Sequence, residues 1–534
     1  MLPGAPGSLV GTGPLTSGKV VVRAVETVLA LVVLATVVAA SARWLRAPAP
    51  SLLVAAGLVV GLLPGMPAVQ VTPDLIGLIV LPPLLYAAGE ELPWRDLRAV
   101  WQPVTLLACG LVLASAAAVG VVAALVTPLS GSMAFLLGSV LASTDPVAVT
   151  ALGRRLALPA RVQALVKGES LFNDATGLVL FRVAASVAVA GGVLSARHIT
   201  AQFALLAGGG VLAGAVVAAG IGLIRRRTED PVLETVTALV TPYAAYVAAE
   251  VFHASGVTAV VVASLILGSW ASRLTTATVR LQLHAVYGTV VFLLESVVFS
   301  LIGLQLPALV RGLTGGDRGW PLQALAVTGA LLAVRILWVF PMSAALQRRR
   351  GAPLSWRVPA VVTWSGARGV VPLAAALSVP LFTAAGQPLP GRALVLLLTS
   401  SVIVITLLVQ GFTLAPLVHR AGIAVAAETT ESEEALARRR MAEVGLTHLE
   451  WLADLDAVPT AVADRLRREL RARIEQADGA EPAAAAIPYR DVRRELIAVE
   501  GAELGRLRDE GLISDGTRRR LQRVLDLEDA RLAE

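Results

Sequence analysis

Lysine is almost missing from this chain: among 45 basic residues in 534 positions, only Lys19 and Lys167 are lysines. Charge of either sign is scarce as well, 16% of residues against 56% hydrophobic, and the mean hydropathy is +0.74. A soluble domain cannot carry that balance, because its surface would leave apolar atoms in water. The single cysteine, Cys109, lies in an apolar run and excludes an internal disulfide framework. Five scattered histidines have no ligand spacing, so no zinc or other transition-metal site is expected. No Walker A string is present, and no cofactor is expected. The first 18 residues hold no basic side chain, unlike the start of a cleavable signal, and residues 1–23 are expected to form a disordered tail outside the membrane. The net charge of +7 is not a nucleic-acid signature, since the arginines sit in short connections between apolar runs, where they set membrane topology.

What the chain has is apolar runs of about 20 residues, enough at about 1.5 Å per residue to span a hydrocarbon core of about 30 Å. Thirteen spans are predicted: 24–43, 51–64, 72–89, 100–127, 133–152, 163–192, 199–224, 231–253, 255–270, 282–308, 321–346, 357–385 and 391–419. The short second and ninth could be tilted or interfacial. Alternating sides puts seventeen Lys/Arg on one face and six on the other, the six being Lys19, Arg23, Arg197, Arg311, Arg318 and Arg392. The richer side is expected to be cytoplasmic, which leaves the N-terminus outside and the segment after Arg420 inside. Composition changes near Glu428, so 24–420 is expected to be an all-α polytopic membrane domain and 428–534 a helical cytoplasmic tail.

Charged residues inside spans cost at least about 2.5–3.5 kcal/mol each on insertion scales. The fifth span nevertheless contains Thr144-Asp145-Pro146, the sixth Glu169, Ser170, Asn173 and Asp174, the eighth Glu250, the tenth Glu295, the eleventh Arg335 and the twelfth Arg368. The economical arrangement gathers them in one interior, acids against arginines. On the sixth span Glu169 stacks with Asn173 and Ser170 with Asp174, each pair four residues apart. Oxygen donors around one carboxylate suit a hard monovalent cation better than a transition metal. A structural polar cluster joining helices is the competing explanation. Pro146 should break the fifth span near Thr144–Asp145, and Gly366, Gly369 and Pro372 predict an interruption in the twelfth. Two broken helices, each late in its half of the chain, point to an inverted-repeat transporter, although ordinary kinks would leave the same residues. Arg368 could neutralise the carbonyl ends of half-helices there.

The strings STDPVAVTA, GESLFNDATGLVLF, AYVAAEVFHASG, LESVVFSLIGLQLP, RILWVFP and WSGARGVVPLAAALSVP, in that order, resemble the sodium/proton exchangers of the first monovalent cation–proton antiporter family. The resemblance covers about 72–420 and implies a bacterial inner-membrane antiporter, a secondary transporter rather than an enzyme, exchanging cytoplasmic Na+ or Li+ for external H+. It implies that Asp174 carries the ion or proton, and that Asn173 is the neutral partner of the electroneutral branch. Thr144, Asp145 and Ser170 would line the ion site directly or through water. Glu169 would pair with Arg335, Arg368 would sit at the helix crossing, and Glu295 and Glu250 would be accessory acids. Contact with membrane lipid and a homodimer are implied too. One departure is that Ala87-Ala88-Gly89 follows Leu81-Pro82-Pro83-Leu84-Leu85-Tyr86, where several microbial members carry an acid near the ion. Acids come only at Glu90 and Glu91, which are expected to be interfacial charges unless Glu90 substitutes from a turn away. If cation and proton compete for one Asp174, exchange is one for one; Asn173 adds an oxygen ligand without a second titrating charge. K+/H+ or electrogenic exchange, a cation channel, and an intramembrane acid-dyad enzyme built on Asp145 and Asp174 are the rival functions.

Overall fold

The computed structural model describes residues 29–41, 48–64, 76–145, 158–190, 196–228, 230–274, 276–312, 319–349, 351, 353–383, 386–423, 427–455, 457–477, 483–510, 512 and 515–533. Pro146 and residues 1–23 therefore lie outside the described residues. The chain divides into two compact units, Met1–Ala424 and Val425–Glu534.

In the first unit the helices are α1 (Leu29–Ser41), α2 (Ala49–Leu62), α3 (Leu81–Glu90, extended by a π turn at Ile76–Val80), α4 (Trp94–Val126) and α5 (Gly131–Leu141). They continue as α6 (Ala160–Val189), α7 (Ala196–Arg225), α8 (Pro231–Val251), α9 (Gly256–Leu274), α10 (Ala277–Arg311) and α11 (Trp320–Arg349). The predicted twelfth span is two half-helices, α12 (Arg357–Trp364) and α13 (Val370–Leu377), and the last span is α14 (Arg392–Ala421). Among the described residues, seven helices are long and apolar enough to cross a membrane by themselves, beside several shorter apolar helices. Of the seven, two reach 33 residues and three reach 30, longer than a perpendicular crossing of a hydrocarbon core of about 30 Å needs.

Local chemistry sets the helix ends. Asp230 caps α8, its Oδ1 accepting from the Val232 and Leu233 N–H groups at 2.7 and 3.1 Å, and Pro231 supplies a preset first residue. Gly422 (φ 59°) closes α14 in the left-handed region. In α4, Pro103 withdraws an amide donor, and the helix relaxes into a π stretch at Leu106–Leu111.

Two groups of helices make up the unit. One packs α4, α5, α6, α11, α12, α13 and α14; the other packs α2, α3, α7, α8, α9 and α10. Helix α2, the short second span that could be tilted or interfacial, is pressed against α10. A Cβ added at Gly57 would lie 2.1 Å from the Ser300 carbonyl oxygen, and one at Gly303 would lie 2.1 Å from that of Val54. Backbones this close admit no side chain. Gly303→Leu is therefore expected to lower folded yield and thermal stability by more than the about 1–3 kcal/mol of ordinary overpacking. Gly329→Leu, at a position where an added Cβ meets nothing within 4 Å, is the control for a detergent-solubilised melting experiment.

The second unit holds four amphipathic helices, α15 (Ala427–Asp454), α16 (Thr460–Ala477), α17 (Ala483–Asp509) and α18 (Asp515–Ala533). They pair as hairpins, α15 with α16 and α17 with α18. Arg493 clamps the second hairpin with two bonds to Glu528, at 2.7 and 2.8 Å.

Candidate cation-binding site

The site is built where two helices stop. Helix α5 ends at Leu141, and the chain runs non-helical through Asp145; α12 ends at Trp364, and residues 365–369 are non-helical before α13. The two interruptions meet, with the Asp145 N–H donating to the Ala367 carbonyl at 2.8 Å. Three helix ends among the described residues converge here, so charge must be answered. The Arg368 Nε donates to the Leu141 carbonyl at 2.9 Å, its Nη1 donates to that of Gly366, and its backbone N–H donates to Thr406 Oγ1 at 3.2 Å. One buried guanidinium thus answers the negative ends of α5 and α12. At the positive end of α13, the Val370 N–H donates to Asp145 Oδ2 at 3.2 Å. Gly369 permits this approach, since a Cβ there would sit 1.7 Å from Asp145 Oδ2.

Helix α6 supports the unwound strand from the side. The Ser170 hydroxyl donates to the Thr144 carbonyl at 2.8 Å. Asn173 grips the same residue twice: its Oδ1 accepts from the Thr144 N–H at 3.3 Å, and its Nδ2 donates to Thr144 Oγ1 at 2.6 Å. The amide oxygen expected to serve as an ion ligand thus accepts from Thr144 in this conformation. One residue on, Asp174 is 7% exposed and faces Asp145 and the Ser143 hydroxyl. On the other face of α6, Glu169 takes both nitrogens of Arg335, at 2.6 and 3.0 Å. The Arg335 guanidinium also donates to the carbonyls of Val362 and Thr363 at the end of α12, at 2.9 and 3.0 Å.

Asp174, Asp145 and Ser170 line the floor of a cavity of about 710 Å³ between the two helix groups. Ala87 lines it from α3 without contributing an oxygen, and Glu295 lines it from α10. Glu90 lines it too and is half-buried, which corrects its reading as an interfacial charge: the end of α3 faces the cavity between helices α6, α7 and α10. Exposed Glu91, Arg280 and His284 mark the mouth. Glu250 does not line the cavity; it pairs with Arg182 at the far end of α6.

Three ionic residues, Arg225, Glu234 and Arg182, were not among the site residues expected from the sequence. Arg225, counted among the loop arginines, is 1% exposed, and its Nη2 donates to Glu234 Oε1 at 3.2 Å. The string RRRTEDPVLE resembles a plain polar connection. Its Asp230-Pro231 cap nevertheless announces a helix at 231, which puts Glu234 in the first turn and within reach of the preceding helix end. Arg182, paired with Glu250, gave only the signal of a charge inside a predicted span.

The donor set on the cavity floor is carboxylate, hydroxyl and backbone oxygen, suited to a hard cation. Comparison with known proteins agrees with that chemistry. The model of the transmembrane sodium/hydrogen exchanger family matches residues 29–420. A Na+/H+ exchanger of Mycobacterium tuberculosis is 34% identical over 539 residues, covering 98% of each chain. The Na+/H+ antiporter ApNhaP of Aphanothece halophytica is 34% identical over 402 residues, 75% of this chain and 74% of that one. Among solved structures, the sodium proton antiporter MjNhaP1 of Methanocaldococcus jannaschii shares the fold with a TM-score of 0.60 at 21% identity, over 76% of this chain and 99% of that one. The chain is a membrane protein that belongs to the sodium/hydrogen exchanger family.

Proposed function

We propose that the protein exchanges cytoplasmic Na+ or Li+ for external H+, one for one, with Asp174 as the sole carrier. The observation that carries this reading is the placement of one buried carboxylate, without a cationic partner among its described contacts, at the floor of an open cavity and against the helix crossing. Water exclusion favours its neutral forms, protonated or cation-bound, so each ion displaces the other. Asp145 sits in the same place with a different task. Its carboxylate answers the α13 N-terminus and serves with Thr144 and Ser170 as a fixed oxygen donor, directly or through water. Glu295 is a reserve acid in the wall. The sodium and proton named for ApNhaP support the ion choice.

The cavity opens beside the C-termini of α3 and α7 and the N-termini of α6 and α10, whose connections belong to the Lys/Arg-rich side. By the positive-inside rule this conformation faces the cytoplasm of a bacterial inner membrane, with the helical tail on the same side. A homodimer bathed in lipid completes the proposal, by resemblance to the family.

Proteoliposomes loaded with a pH-sensitive dye test it. Na+ and Li+ are expected to drive proton efflux and K+ little, and a valinomycin potential at fixed pH gradient should leave the rate unchanged. A steep voltage dependence would overturn the electroneutral count. Asn173→Asp sets a second carboxylate beside Asp174, where both cannot ionise easily, so its activity profile should move to higher pH.

A further inference from the structure

The cavity mouth holds one of only two lysines in a chain whose other 43 basic residues are arginine, the difference of the two counts in the sequence. Lys167 projects from α6 on the same face as Ser170 and Asp174, at spacings of three and seven, and all three line the cavity. Seven residues of helix place its Cα about 10 Å from that of Asp174 along the axis. Its Nζ donates to Glu91 Oε2 at 3.0 Å, so each charge offsets the field of the other at the carrier. The pair is half-open to water, with side chains 26% and 49% exposed, and joins α6 to the end of α3. Pairs of this kind add little to stability. Their field still reaches into a cavity whose walls are low in dielectric constant.

We propose that the Lys167–Glu91 pair sets the cation affinity of the carrier, Lys167 lowering it and Glu91 raising it, without either residue touching the transported ion. This deepens the antiport reading and rests on Asp174 as carrier. The surroundings leave the pair as an adjustable element. From α3 the cavity also receives Glu90, from α7 Arg225, from α10 Arg280, His284 and Glu295, and from the unwound strand Asp145. Arg225 is held by Glu234 and Asp145 by the α13 N-terminus. From helix α4, Leu97 and Val104 pack beside the neighbouring Gly168, and the first turn of that helix carries Arg95, Asp96 and Arg98.

A fixed charge acts equally on the two monovalent ions that compete at Asp174, and this gives the proposal a distinctive signature. Lys167→Gln leaves Glu91 uncompensated and tightens both Na+ and H+ binding by the same factor, about three- to tenfold for a unit charge about 10 Å away in a partly screened cavity. At alkaline pH, where protons do not compete, KM for Na+ should fall by that factor. At acid pH the two gains cancel and KM should not change. The activity profile should move about half to one pH unit alkaline. Glu91→Gln should do the reverse, raising alkaline KM and moving the profile to acid. Lys167→Arg should resemble wild type, and the double exchange K167E/E91K should return close to it.

The experiment is Na+-driven proton efflux in proteoliposomes of the full-length protein and these four variants, with KM and maximal rate measured from pH 6 to pH 9 and repeated in added choline chloride, which should shrink every difference. Opposite KM shifts confined to alkaline pH support the proposal. Shifts of the same sign in both single variants, shifts equal at all pH values, or no shift in either would overturn it. If Asp174→Asn proteoliposomes transport normally in the same series, the carrier assignment fails instead.

Discussion

Asp174→Asn is expected to reduce Na+- and Li+-dependent proton efflux to the level of protein-free liposomes while the protein inserts, purifies and melts like wild type or at a higher temperature. The substitution preserves the volume and keeps one oxygen facing Ser143 and Asp145, so the packing of α6 against the unwound strand is unchanged. What is lost is the one group at this depth that can be neutral with a proton and neutral with a sodium ion. An amide binds neither strongly, and the reciprocal displacement that makes exchange obligatory disappears. Stability should hold or rise because the wild type keeps two carboxylates facing each other at the cavity floor, and removing one relieves repulsion. The two measurements must be read together: lost transport with lost stability would describe misfolding, whereas lost transport with retained stability isolates the carrier. Substantial cation-dependent efflux in well-folded Asp174→Asn vesicles would falsify the assignment and move attention to Glu295, the acid that α10 contributes to the cavity wall.

How legible the site was depended on where each residue stood relative to an apolar run. Charges deep inside a span, such as Asp174, Glu169, Arg335 and Arg368, announce themselves, because hydrocarbon tolerates them only with a reason. Helix interruptions were readable for the same reason: the glycines at 366 and 369 have no helical preference, and the structure breaks the chain between Trp364 and Val370. Residues at the ends of runs were ambiguous. Arg225, Glu234 and Glu90 have the same one-dimensional context as true loop charges, and only the lateral packing of α3, α7, α8 and α10 turns them inward. Hydrogen-bond direction was not readable either. Sequence spacing put Asn173 beside Asp174, but only the geometry of the unwound strand shows that its amide is consumed by Thr144.

Arg335→Ala should be the most destabilising substitution at this site. The guanidinium is 3% exposed and its partner Glu169 1%, so truncation strands a buried carboxylate without its hydrogen-bonded partner. The same change removes the guanidinium donors to the Val362 and Thr363 carbonyls at the end of α12, leaving Val362 the Ser365 hydroxyl. Breaking a buried pair from one side costs about 3–5 kcal/mol, the unpaired charge accounting for most of it. Glu169→Gln/Arg335→Gln, which removes both charges together, should therefore cost less than Arg335→Ala alone. Lysine at 335 should recover part of the loss, since an ammonium restores charge but not the fork that bonds Glu169 and α12 at once. Gly366 adds a steric constraint, because a Cβ there would lie 2.5 Å from the Arg335 Nε; Gly366→Ala should mimic a milder form of the same defect. Melting curves of purified protein in detergent, read alongside folded yield, rank these variants. The order expected is wild type and Asp174→Asn above the double glutamine variant, then Arg335→Lys, then Arg335→Ala. Arg335→Ala melting with wild-type stability would mean that the Glu169 pair does not hold α6 to α12 and that the floor of the site is positioned by the Asn173–Thr144 grip alone.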